Sequence, residues 1–155
     1  MRRALALAAC TGALLAGCGS REPATPVAGL GGPNGYLTAL REAPGQVRLD
    51  GRTAISACLV EDQQAGELSR VGLALVRTAT ALNDSARQAP GGQANLALGF
   101  LVGAVEKGAE DTNGIHADLV RRIEAAAEFS PAGRPLPAAF RRSLVRGEQA
   151  GRGRG

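Results

Sequence analysis

The sequence predicts an all-α fold, a small bundle of about four helices, and three observations carry that expectation. Apolar residues recur at spacings of three and four in two long segments, Leu68 to Ala86 and Ile115 to Ala126. A third segment, Ala94 to Val105, is apolar on every face except at Asn95. Helix breakers bound them, Pro44-Gly45 ahead of the first and Pro90-Gly91-Gly92 and Asp111-Thr112-Asn113-Gly114 between them.

Taken in order, the helical domain is expected over residues 35–130. It opens with a short helix capped by Asn34, carrying Tyr36, Leu37 and Leu40 on one face and ending at Pro44-Gly45. Two readings compete for the next stretch. Asp50-Gly51, flanked by Val47-Arg48-Leu49 and Thr53-Ala54-Ile55, suits the turn of a short β-hairpin near residues 47–55. Alternatively, the same turn leads into a helix over Ala54 to Gln64, and this reading is preferred.

Leu68, Val71, Leu75, Ala79, Leu82 and Ala86 then form one stripe of an amphipathic helix. Ala94 to Val105 would rise only about 18 Å as a helix, short of a bilayer core of roughly 30 Å, so it reads as the buried centre of the bundle. Gly99 and Gly103, four apart, would let a neighbouring helix approach closely. The last helix of the domain carries Ile115, Leu119, Ile123 and Ala126 inward and stops before Ser130-Pro131, with Arg121, Arg122, Glu124 and Glu128 in solvent. Residues 131–155 read as a basic C-terminal tail: a short helix with Phe140 and Leu144 one turn apart, then a frayed Gly151-Arg152-Gly153-Arg154-Gly155.

The N-terminus reads as an export signal. Arg2 and Arg3 precede an apolar run from Ala4 to Gly17, too short for a comfortable membrane span. The run closes on Leu15-Ala16-Gly17-Cys18, which resembles the lipobox of bacterial lipoproteins. That resemblance covers the signal segment alone. It implies removal of residues 1–17 by cleavage between Gly17 and Cys18, lipidation of Cys18 by diacylglyceryl transfer, and an exported lipoprotein held in the cell membrane or outer membrane by palmitate-type acyl chains. Two or three such chains suffice for stable anchoring, each buried methylene contributing about 0.8 kcal/mol. Gly19 in place of aspartate removes one inner-membrane retention signal. Residues 18–34, rich in Gly, Pro, Ser, Ala and Thr, read as a flexible tether.

Charge is divided unevenly. The whole chain is formally +4. Residues 19–131 hold ten basic and thirteen acidic side chains, whereas residues 132–155 set six arginines against Glu148. Arg141, Arg142, Arg146, Arg152 and Arg154 are therefore candidates for contact with anionic lipid or an acidic envelope protein; a solubilising tail is the plainer reading.

Most chemistries lack the residues. His116 is the single histidine, and no spacing of Cys or carboxylates resembles a zinc or calcium site, so neither metal nor cofactor is expected. Nucleic acid is excluded mainly by the expected location. The adjacent carboxylate pairs Glu61-Asp62 and Glu110-Asp111 point apart on a helix, and Glu106 with Glu110 reads as an exposed face. One nucleophile constellation can be assembled, Cys58 with His116 and Asp118. Its residues have simpler roles: Cys58 sits among Ile55, Ala57, Leu59 and Val60 as a small buried hydrophobe, and His116 falls in a first helical turn, a commonly exposed place. No enzymatic activity is expected. Two function classes follow, a lipid-anchored structural or interaction module, which is preferred, and a carrier or sensor enclosing a small apolar ligand or lipid against the Ala94 to Val105 wall.

Overall fold

A computed structural model describes residues 24–155, and the signal segment, the cleavage site Gly17-Cys18 and Cys18 itself lie outside the described residues. The chain is mostly helical. Among the described residues five α-helices follow one another: α1 Pro33–Ala39, α2 Ala65–Gln88, α3 Gln93–Ala109, α4 Ala117–Glu128 and α5 Ala138–Arg154. Short 3-10 turns occupy Val27–Leu30, Leu40–Glu42, Ser56–Cys58 and Pro131–Gly133. None of the described helices is long and apolar enough to cross a membrane.

The helix periodicity places α2 and α3 as expected. Along α2, Val71, Leu75, Ala79, Leu82 and Ala86 are buried. In α3 every residue from Asn95 to Val105 is buried, so this helix is the centre on which the others pack. Gly91, at φ +90°, takes a conformation that side chains resist and lets the chain reverse between the two. In α4 the buried stripe is Leu119, Ile123 and Ala127, while Ile115, before the helix, is 41% exposed.

The hairpin reading is corrected: among the described residues there is no strand. Asp50 adopts a left-handed backbone and its carboxylate accepts bonds from Thr53 N (3.0 Å) and Arg52 N (3.3 Å), which holds that carboxyl below its ordinary pKa. A single bridge between Leu49 and Thr53 closes this turn. Val47, Leu49 and Ile55 are all buried, so both arms go into the core instead of pairing further. The competing helix over Ala54 to Gln64 shrinks to the 3-10 turn at Ser56–Cys58.

Two stretches expected to be loose are packed. Residues 24–34 are no free tether: Thr25 and Gly29 are buried, Gln63 Nε2 donates to Thr25 Oγ1 (2.7 Å), and the Tyr36 hydroxyl donates to Gly29 O (2.9 Å). At the other end, the short helix and frayed tail are replaced by α5, seventeen residues long. The missing cause is a glycine pair on α5, Gly147 and Gly151, which packs on the Gly99 and Gly103 stretch of α3 as the two helices run parallel, with Gly155, just past the helix end, against Ala104. Each of the four helical glycines lies backbone to backbone across the pair. A Cβ on Gly99 would collide with Leu144 O and one on Gly103 with Glu148 O, while Gly147 and Gly151 face Leu96 O and Phe100 O in return. Arg48 Nη1 (2.8 Å) then donates to Arg154 O, a last-turn carbonyl that an isolated helix leaves unsatisfied, and Ser56 Oγ (2.7 Å) donates to O of the capping Gly155.

Candidate functional site

Three groups of polar side chains are distinguished by their surroundings. The first is buried. Gln63 lies at its centre, donating through Nε2 to Thr25 Oγ1 and to Cys58 O (3.0 Å), and meeting His116 Nε2 through Oε1 at 2.8 Å. The position of His116 corrects the expectation of an exposed imidazole: it is wholly buried at the N-cap of α4. Since Gln63 Oε1 can only accept, Nε2 must carry the proton, which leaves Nδ1 unprotonated, and Nδ1 has no hydrogen-bond partner. Burial pulls the imidazole pKa below its ordinary value.

Cys58 and His116 thus share Gln63 as a neighbour without forming a nucleophile–base pair. The Cys58 thiol is wholly buried and directed at Ala54 O (3.7 Å), and burial pushes its pKa up to about 11. Asp118, the third member of the constellation, is exposed and paired with Arg121 at 3.1 Å. With such a thiol, alkylation of Cys58 by iodoacetamide at mildly basic pH is expected to run on the order of a hundredfold slower than in denaturant, from thiolate fraction alone. Equal rates in the two conditions would overturn the assignment of an inert thiol.

The second group is a charge cluster at the α3–α5 contact. Arg152 reaches Glu106 at 2.8 Å, Glu148 at 3.4 Å and Glu110 at 3.9 Å. The Glu106 carboxyl is raised by burial and by Glu148, with Arg152 opposing. Glu106 and Glu110 are therefore not simply a solvated face, and Arg152 is already occupied, so it is removed from the free arginines. This pairing was detectable in principle: two carboxylates one turn apart on α3 invite a search for one cation. Among the described residues, no group of three His, Cys, Asp or Glu side chains could hold a metal ion.

The third group stays open. Phe140, Leu144, Gly147 and Gly151 turn α5 inward, which puts Arg141, Arg142, Val145, Arg146 and Gln149 on its outer face. With Gly91, Ala139 and Ser143 they line a shallow groove of about 710 Å³. Ser143 Oγ donates to Gly91 O (3.2 Å) and ties its rim to the α2–α3 turn. No carboxylate of the described residues pairs with Arg141, Arg142 or Arg146, and the chain from Phe129 to Gly147 contains no Asp or Glu. Arg154 is exposed in the last turn of the helix, apart from this groove. The expected arginine set is thereby divided into three on one rigid face, one committed to carboxylates and one at the helix end. The chain matches no protein-family model, no curated protein and no solved structure, and the site is read from its geometry.

Proposed function

We propose that this chain is a lipid-anchored protein of the cell envelope, exported and held through Cys18, that acts by contact and not by catalysis. The single observation that carries the contact reading is the outer face of α5. Three guanidinium groups stand there without carboxylate partners among the described residues, on a helix whose opposite side is locked to the core. Arg141 stands in the first turn of α5, where the positive end of the helix disfavours a cation, and no acidic residue in that turn relieves it. An external anion would. The anchor rests on Leu15-Ala16-Gly17-Cys18 and on the apolar run before it.

The reading of an enclosed apolar ligand has less support. The wall it required, beside Gly99 and Gly103, is filled by the backbone of α5. The Cys58 thiol is likewise unsuited to nucleophilic work, being buried and protonated at neutral pH.

The test is the intact mass of the N-terminal peptide from membrane fractions, for the wild type and for Cys18→Ala. A diacyl or triacyl mass on Cys18, with membrane association lost in the variant, is the expected result. An unmodified or differently cleaved terminus in the wild type would refute the anchor.

A further inference from the structure

We infer that the outer face of α5 lies on an anionic phospholipid surface, with Arg141, Arg142 and Arg146 on lipid phosphates and Val145 at the boundary with the acyl chains. The inference rests on the anchored reading only for the nearness of a bilayer; the face itself is argued from its own composition. Arg141, Arg142, Val145, Arg146 and Gln149 fall on one side of the helix, and Val145 is 49% exposed between the arginines. A basic helical face with an apolar residue at its middle matches the headgroup region, where charge meets phosphate and the methyl groups leave water. A soluble polyanion would gain nothing from Val145.

The packing of the N-terminal segment makes this orientation reachable. Thr25 is held by Gln63, which also bonds Cys58 O, and two residues before Cys58 Ser56 bonds Gly155 O. The start of the described chain is thus linked to the C-terminal end of α5 through Gln63 and the Ser56–Cys58 turn. From Gly155 back to Arg141 is about 21 Å along the helix axis. The six residue steps from Cys18 to Ala24 span at most about 21 Å. A link of that length keeps the start of the body within about 21 Å of Cys18, so the arginine face can reach the headgroups of a nearby bilayer.

The chain contains no tryptophan, so Val145→Trp introduces a single fluorescent reporter on the proposed face. Leu73→Trp, on the partly exposed side of α2 toward α4, is the control. The full chain carrying either reporter is mixed with vesicles of brominated phosphatidylcholine, with or without phosphatidylglycerol. At about a fivefold gain for each arginine, three arginines give on the order of a hundredfold preference of the face for the anionic vesicles. The expected result is a blue shift and bromine quenching at position 145 in anionic vesicles only, and neither at position 73. Changing Arg141, Arg142 and Arg146 together to Gln should abolish the signal, and changing them to Lys should retain most of it, because a lipid surface reads charge and not fork geometry. An aqueous reporter at 145 in anionic vesicles, equal quenching in neutral ones, or persistence in the Gln variant would overturn the inference. So would crosslinking of this position to an acidic protein without quenching. Failure of the anchor is read separately from the N-terminal mass, since an unacylated chain must still show the anionic preference at position 145.

Discussion

Gly103→Ala is expected to lower stability by at least about 3 kcal/mol, at the upper end of overpacking costs. A single methyl group is added, but its position is occupied by Glu148 O and flanked by Arg152 N, both backbone atoms of α5. No rotamer change can clear a main chain. The two helices must separate along their whole contact, which uncovers Phe100, Phe140 and Leu144 and breaks the Arg152 cluster with them. Gly147→Ala, which meets Leu96 O from the other side, should behave alike. Gly153→Ala supplies the control. It lies in the same helix, and no atom stands within 4 Å of the place its methyl group would take, so intrinsic helix propensity alone should raise stability. The gain should be up to about 1 kcal/mol. Urea titrations of the three variants check this. Equal shifts for Gly103 and Gly153 would mean that α5 is not packed on α3 at backbone distance.

Stability is expected to fall on acidification below about pH 6.5, and His116 is the cause. In the unfolded chain the imidazole takes up a proton near its ordinary pKa; in the folded protein burial holds its pKa lower. Between the two values the unfolded state binds more protons, so each pH unit downward removes up to about 1.4 kcal/mol, and the loss is complete below the folded pKa. Glu106 acts in the opposite sense. Its raised pKa makes the folded state bind a proton more readily, so its contribution is present in acid and is lost as pH rises through that folded value. The two are separated by His116→Gln, which cannot titrate. Its urea midpoint should be flatter than that of the wild type between about pH 6.5 and the folded pKa of His116, and parallel curves would refute the assignment. Gln63→Ala tests the same network without titration. It strips partners from Thr25, Cys58 O and His116 together, at a cost of about 3 kcal/mol for buried groups left unsatisfied.

The glycine contact and the buried imidazole were both hidden in the linear chain for one reason. Gly99 and Gly103 were legible as a place for close approach, because a four-residue spacing puts two glycines on one helix face wherever the helix goes. Their partner was not. Gly147, Gly151 and Gly155 stand among Arg146, Arg152 and Arg154, where charge and low helix propensity both argue for a frayed end. Packing on α3 overrides that local preference, and only the placement of α3 reveals it. His116 shows the same limit. An imidazole at a helix start is exposed unless another element covers it, and the cover comes from Gln63, far away in sequence.

The arginines divide for this reason too. All five belong to one basic segment, and composition treats them as equivalent. Once α5 is docked, Arg152 falls beside Glu106, Glu110 and Glu148, while Arg141, Arg142 and Arg146 lie nearer the start of the helix, in the groove and without a carboxylate partner among the described residues.

By itself, then, the sequence determined what is local: the helical class, the stripe of α2, Leu119 and Ile123 as the inward residues of α4, the all-round burial of α3, the breaks between them, and the resemblance of Leu15 to Cys18 to a lipobox. Periodicity and turn chemistry act over a few residues, and they can be read without knowing the partner. The tertiary structure decided what depends on a partner, namely that residues 24–34 and 138–154 join the body, that His116 is buried, and which arginines stay free. Those outcomes are set by distances between segments remote in the chain, where a backbone approach or a buried hydrogen bond outweighs the preference each segment has alone.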